Sequence, residues 1–154
     1  MRLLRILILR WFKETIGYGL EAIGLRSKMG KGFKELLVWQ KASDLVVLIY
    51  KITNENEFKK DFGLRDQVRR SAVSVPSNVA EGDERDTDKE SVRFFFTAKG
   101  SLAELRTQME ISYRIGYIDE TTFKDVEGKS IEIGKMLGAL IKSRSAKYPI
   151  AHSL

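Results

Sequence analysis

Arg70, Ser74, Asn78 and Glu81 follow one another at steps of four, four and three, a spacing that places them along one face of a helix. Catalysis by this stripe would need a base, an acid or an activated nucleophile, and it offers one carboxylate, one arginine and two neutral groups. A structural role is the stronger reading. Ser74 and Asn78 are expected to hydrogen-bond carbonyls freed by the neighbouring Pro76, and Arg70 or Glu81 to pair across helices, Arg70 with Glu104. Partnered in this way, the stripe would fix the register between helices.

A second group is cationic. Lys59, Lys60, Arg65, Arg69 and Arg70 cluster in one stretch, and Arg93, Lys99 and Arg106 recur further on. Each is a candidate to neutralise a phosphate of a nucleic acid, and symmetric assembly would multiply the patch. Asp61, Asp66, Glu90 and Glu104 are interspersed with them, so an ion-paired solvated face is the competing reading. No aromatic-rich motif for base stacking accompanies these residues, and base-specific reading is not expected.

Other chemistries are narrowed by composition. The chain has no cysteine, which removes disulfides, thiolate metal sites and cysteine nucleophiles and suits a cytoplasmic location. Its one histidine, His152, is third from the C-terminal end, so neither a metal cluster nor a histidine-based triad is expected. A di-iron carboxylate site would need Glu-x-x-His on two helices and cannot be assembled. The expectation is therefore a non-enzymatic protein without metal or cofactor.

The net charge of +6 is unevenly spread. Residues 1–32 carry seven basic side chains against two acidic ones, and residues 33–154 carry twenty against nineteen. Residues 3–12 (LLRILILRWF) form an apolar run interrupted by Arg5 and Arg10, shorter than the ~20 residues a membrane-spanning helix needs. A secretory signal is also a poor fit, for want of an unbroken apolar core and a small-residue cleavage site. Two readings of residues 1–28 stay open: a basic amphipathic helix on a membrane or partner, or leader sequence ahead of a start at Met29. The second is favoured, because helical organisation begins only after Gly30, Lys31 and Gly32.

The elements that position these residues are four helices. Val38, Ala42, Leu45, Ile49 and Ile52 alternate at four and three, predicting a helix over about 35–54. Leu64, Val68, Ala72, Val75 and Val79 predict a second over about 63–81, kinked but unbroken at Pro76 and stopped at Gly82. Thr87 and Glu90 have capping-box spacing ahead of a long third helix carrying Phe95, Ala98, Leu102, Leu105, Met109 and Ser112. Asp119 is suited to cap a fourth, with Phe123, Val126, Ser130, Ile133, Leu137 and Leu140. The pattern predicts an all-α, antiparallel up-down-up-down bundle over 33–143, after an N-terminal extension (1–32) and before a flexible tail (144–154).

One apolar stripe per helix does not account for every apolar residue. Residues 45–50 (LVVLIY) are apolar around the whole helix, and Phe94, Phe95 and Phe96 sweep about 200° of surface at about 100° per residue. Val47, Leu48, Phe94 and Phe96 are therefore candidates for contact with other subunits. The alternative is a wide core within one chain, around Pro76.

Over about residues 33–143 the sequence resembles the 23S rRNA intervening-sequence protein family of four-helix bundles. The resemblance rests on Phe33 to Ala42 (FKELLVWQKA), Phe62 to Gly82 (FGLRDQVRRSAVSVPSNVAEG), Asp88 to Phe95 (DKESVRFF), Gly100 to Gln108 (GSLAELRTQ) and Gly134 to Lys142 (GKMLGALIK). It implies a small bacterial bundle that assembles into a ring, a homopentamer in some members, with RNA as the suggested ligand. It also implies that residues 1–28 lie outside the family region. The reading is a cytoplasmic self-associating binding module, with RNA the leading ligand and a protein partner the alternative. Membrane contact is expected only through residues 1–28.

Overall fold

The computed structural model describes residues 32–145. Residues 1–31 of the expected extension, with the Met29 start, and residues 146–154 of the expected tail, with His152, lie outside these residues. Among the described residues are four α-helices, α1 (Leu37–Ile52), α2 (Phe62–Asp83), α3 (Asp88–Arg114) and α4 (Glu120–Ser145), with single 3-10 turns at Phe33–Glu35 and Glu57–Lys59 and no strand. The region is all-α.

Burial follows the three-and-four periodicity. α1 buries Val38, Ala42, Leu45 and Ile49. α3 buries Phe95, Ala98, Leu102, Leu105 and Met109, and α4 buries Val126, Ile133, Leu137 and Ile141. α2 packs most extensively on α3 and α3 on α4, while α1 closes the core against α2 and α4. Each fully buried Leu, Val or Phe contributes roughly 1.5–3 kcal/mol relative to exposure, so these stripes dominate stability.

Caps fix where the helices begin. Asp61 Oδ1 accepts from the Leu64 amide at 2.9 Å, Thr87 Oγ1 from the Glu90 amide at 3.3 Å, and Asp119 Oδ1 from the Thr122 amide at 2.7 Å. The hydrogen bonds from Thr122 hold the Asp119 carboxyl below its usual range. Asp61 has a second role, because its Oδ2 accepts from the Tyr117 hydroxyl at 3.2 Å. Desolvation and this hydrogen bond raise the Tyr117 hydroxyl above its ordinary pKa. Tyr117 also packs at 5.6 Å on the ring of Phe58, which is fully buried in the connection between α1 and α2.

Two expected boundaries are corrected by packing. Gly82 does not stop α2; it is buried inside a helix that continues to Asp83. A Cβ at this position would lie 2.6 Å from Phe95 Cε1, so the glycine is required by the approach of α3 rather than by a turn. α4 runs two residues beyond the expected limit of the bundle, to Ser145, and its last buried apolar residue is Ile141 where Leu140 was expected. Arg144 anchors that end, donating from Nη1 to Asp88 at 3.0 Å and from Nη2 to Asp83 at 3.1 Å. α2 is continuous across Pro76, which is buried.

Candidate nucleic-acid interface

The polar stripe of α2 divides between surface and interface. Arg70 and Glu81 are exposed, whereas Ser74 and Asn78 are half-buried. Asn78 Nδ2 donates to the Ser74 carbonyl at 2.8 Å and to Ser74 Oγ at 3.0 Å. Ser74 Oγ lies 2.9 Å from Ser101 Oγ on α3, and Ser101 Oγ donates to the Thr97 carbonyl at 3.1 Å. With the Ser101 hydrogen committed to Thr97, Ser74 is the donor in the contact between the two serines, and the chain is satisfied from end to end.

The expected pair between Arg70 and Glu104 does not form. Glu104 accepts from Gln108 on its own helix at 3.2 Å, Glu81 pairs with Arg85, and Arg70 has no ion pair among the described residues. Ser71, which carries no distinguishing signal in the sequence, supplies the second link instead: its hydroxyl lies 2.7 Å from Gln108 Oε1 on α3. Nor do Ser74 and Asn78 reach the carbonyl of Ala72, which loses its amide partner at Pro76.

The eight candidate cations separate into two groups. Arg65 donates to the Lys59 carbonyl at 3.1 Å and lies 4.6 Å over the Phe62 ring. Arg69 donates to Thr53 Oγ1 at 2.8 Å beneath the Tyr50 ring, and Lys60 pairs with Glu57 at 2.7 Å. Arg106 donates from Nε to both carboxylate oxygens of Glu127, at 3.0 and 3.1 Å, and from Nη2 to one of them. Hydrogen bonding to Glu127 raises the Arg106 pKa further. Lys59, Arg70, Arg93 and Lys99 are exposed and make no ion pair or side-chain hydrogen bond among the described residues.

The candidate contact residues are also placed differently from one another. Phe95 is core, Phe96 is 55% exposed, and Phe94 is half-buried with the Arg85 guanidinium 4.4 Å over its ring. Val47 is 55% exposed, whereas Leu48 packs against the core of its own chain.

A groove of about 430 Å³ runs between α3 and α4, lined by Lys99, Leu102, Ala103 and Arg106 on one wall and by Ser130, Ile131, Gly134, Lys135 and Gly138 on the other. No carboxylate lines it. A depression on α1 and α2 includes Glu55, and one beside it, around Arg69 and Arg70, includes Asp66. Lys135 was missed in the sequence; its signal is the spacing of Ile131, Lys135 and Gly138 on one face of α4. No cluster of metal-ligating residues occurs among the described residues, and none of their helices is long and apolar enough to cross a membrane.

No curated protein matches the chain. Among solved structures it is similar to a crystal structure of a protein of unknown function from the S23 ribosomal protein family of Bacteroides thetaiotaomicron. The two share 25% identity at a TM-score of 0.64, over 69% of this chain and 99% of that one. The family model for the 23S rRNA-intervening sequence protein matches residues 34–139, which include all of α1, α2 and α3 and most of α4. The chain belongs to the 23S rRNA-intervening sequence protein family.

Proposed function

We propose that the protein is a non-catalytic, self-associating, cytoplasmic helical bundle that binds RNA. The observation that carries this reading is the set of exposed cations with no ion pair among the described residues, Lys59, Arg70, Arg93 and Lys99. A carboxylate held against a cation already offsets its charge, whereas a hydrated unpaired ammonium or guanidinium is available to displace counterions from a phosphate chain. The family's association with 23S rRNA favours RNA as the polyanion.

The bundle is up-down-up-down and bent at Pro76. Cross-helix pairs support the alternating directions: Gly82 with Phe95, Ser74 with Ser101 and Ser71 with Gln108 step oppositely along α2 and α3. Arg106 with Glu127 and Asp88 with Arg144 do the same along α3 and α4. Self-association uses the exposed Val47 and Phe96. A ring, pentameric as the family resemblance implies, would repeat the cations around its circumference.

The test is fluorescence anisotropy of a labelled ribo-oligonucleotide against the purified full chain across a salt series, with native mass spectrometry of the same sample. Binding that weakens log-linearly with salt by a multimeric particle is the expected result. A second reading, a protein-interaction adaptor, is favoured by the apolar cluster of Val46, Val47, Tyr50 and Val73 beside Arg69 on α1 and α2. It predicts a nucleic-acid-free particle whose partner association is insensitive to salt.

A further inference from the structure

We propose that the groove between α3 and α4 is the track for a single-stranded ribose-phosphate backbone, gripped by Lys99 on one wall and Lys135 on the other. The inference rests on the RNA-binding reading and assigns it a site. Charge is the first argument. Lys99 and Lys135 line the same groove, both are exposed, neither has an ion pair among the described residues, and no carboxylate shares the lining. The two depressions described on α1 and α2 have a carboxylate in the lining itself, Glu55 in one and Asp66 in the other, whereas the nearest acid described at this groove, Glu127, is held by Arg106.

Shape is the second argument. Gly138 lies within a helix, where glycine weakens the element, and a Cβ there would meet nothing within 4 Å, so packing among the described residues does not require the small residue. It does keep the groove open to a ligand backbone. Neighbouring helices pack about 8–10 Å apart, and a furrow of that scale accommodates one extended strand but not a double helix. Arg106 supplies the third argument. Glu127 engages its Nε and Nη2, while Nη1 makes no hydrogen bond among the described residues, so the guanidinium is a positioned donor at the groove with one nitrogen uncommitted.

The test is anisotropy with a labelled single-stranded oligouridylate, using the full chain and variants whose helicity is confirmed by circular dichroism. The double variant Lys99→Ala/Lys135→Ala is expected to bind about tenfold or more weakly at low salt, and its salt slope to fall by about 1.4, or about 0.7 for each lost phosphate contact. Gly138→Leu retains every charge but fills the groove, and it is also expected to weaken binding severalfold. Lys41→Ala/Lys124→Ala removes the same charge at two lysines already ion-paired, with Glu132 and Glu120, outside the groove lining, and is expected to change affinity less than about twofold. Equal losses in the two double variants, or full affinity in Gly138→Leu, would overturn the groove assignment and leave the RNA reading standing. A duplex of the same length bound more tightly than the single strand would overturn the choice of ligand. An unmodified chain that binds no RNA would overturn both readings.

Discussion

Helix α3 has two unlike neighbours. Towards α2 its interface is closed: Ser101 and Gln108 meet Ser74 and Ser71, and Gly82 lets the Phe95 ring approach to within the space of a methyl group. Towards α4 its outer edge forms a groove in which Lys99 and Lys135 have no ion pair among the described residues and a Cβ on Gly138 would meet none of their atoms within 4 Å. The same residue type therefore has opposite meanings on the two sides. A glycine pressed by a neighbour reports packing, whereas one with nothing within 4 Å is not required by packing among the described residues. Polar groups differ likewise: Ser101 and Gln108 are engaged by α2, while Lys99 on α3 and Lys135 on α4 have no ion pair among the described residues, although Arg106 beside them is held by Glu127.

The two sides of α3 should differ most in what their glycines tolerate. Gly82→Ala should destabilise the bundle, because overpacking against the buried Phe95 costs roughly 1–3 kcal/mol, more than the ~0.5–1 kcal/mol that alanine contributes in a helix. Urea denaturation should show the loss as a lower midpoint, and an unchanged midpoint would mean that the interface is looser than described. Ser71→Ala removes a hydroxyl next to the Gln108 side chain and should cost about 1 kcal/mol in the same assay. Gly138→Ala should act in the other direction and stabilise the chain by up to about 1 kcal/mol, since its Cβ enters open space. A loss of stability there would show that the α3–α4 edge is packed after all.

The smallest expected effect concerns the start of α4. The native Asp119 carboxyl is held below its unfolded value by the hydrogen bonds from Thr122, so its contribution is present above the ordinary aspartate pKa of about 3.9 and is lost as pH falls through the lower folded value. The stability difference between the unmodified chain and Asp119→Ala should therefore shrink on acidification below about pH 4. A difference that stays constant with pH would place the carboxylate outside the cap.

The stripes of α1 and α3 were legible because periodicity encodes burial directly: Val38, Ala42, Leu45 and Ile49 are inside, as their spacing requires. The caps at Thr87 and Asp119 were legible because donor and acceptor are three residues apart. Gly82 was misread because local composition suggests a stop, whereas its constraint comes from Phe95 on the next helix. The reach of Arg144 to Asp88 and Asp83 spans 56 and 61 residues and leaves no local pattern. The cations show the same limit. Arg69 and Arg106 are engaged by Thr53 and Glu127, 16 and 21 residues away in sequence, so the choice between a structural and an available charge is made by the fold. Lys135 escaped notice because the sequence alone does not show that its helix faces Lys99.

Photo-cross-linking would report whether RNA lies along the α3–α4 groove. A thiouridine-substituted single-stranded oligoribonucleotide would be irradiated with the full chain, and the modified peptides identified by mass spectrometry. Adducts are expected on peptides carrying Lys99 to Arg106 of α3 and Ile131 to Gly138 of α4. Adducts concentrated around Tyr50, Arg69 and Val73 on α1 and α2 would contradict it.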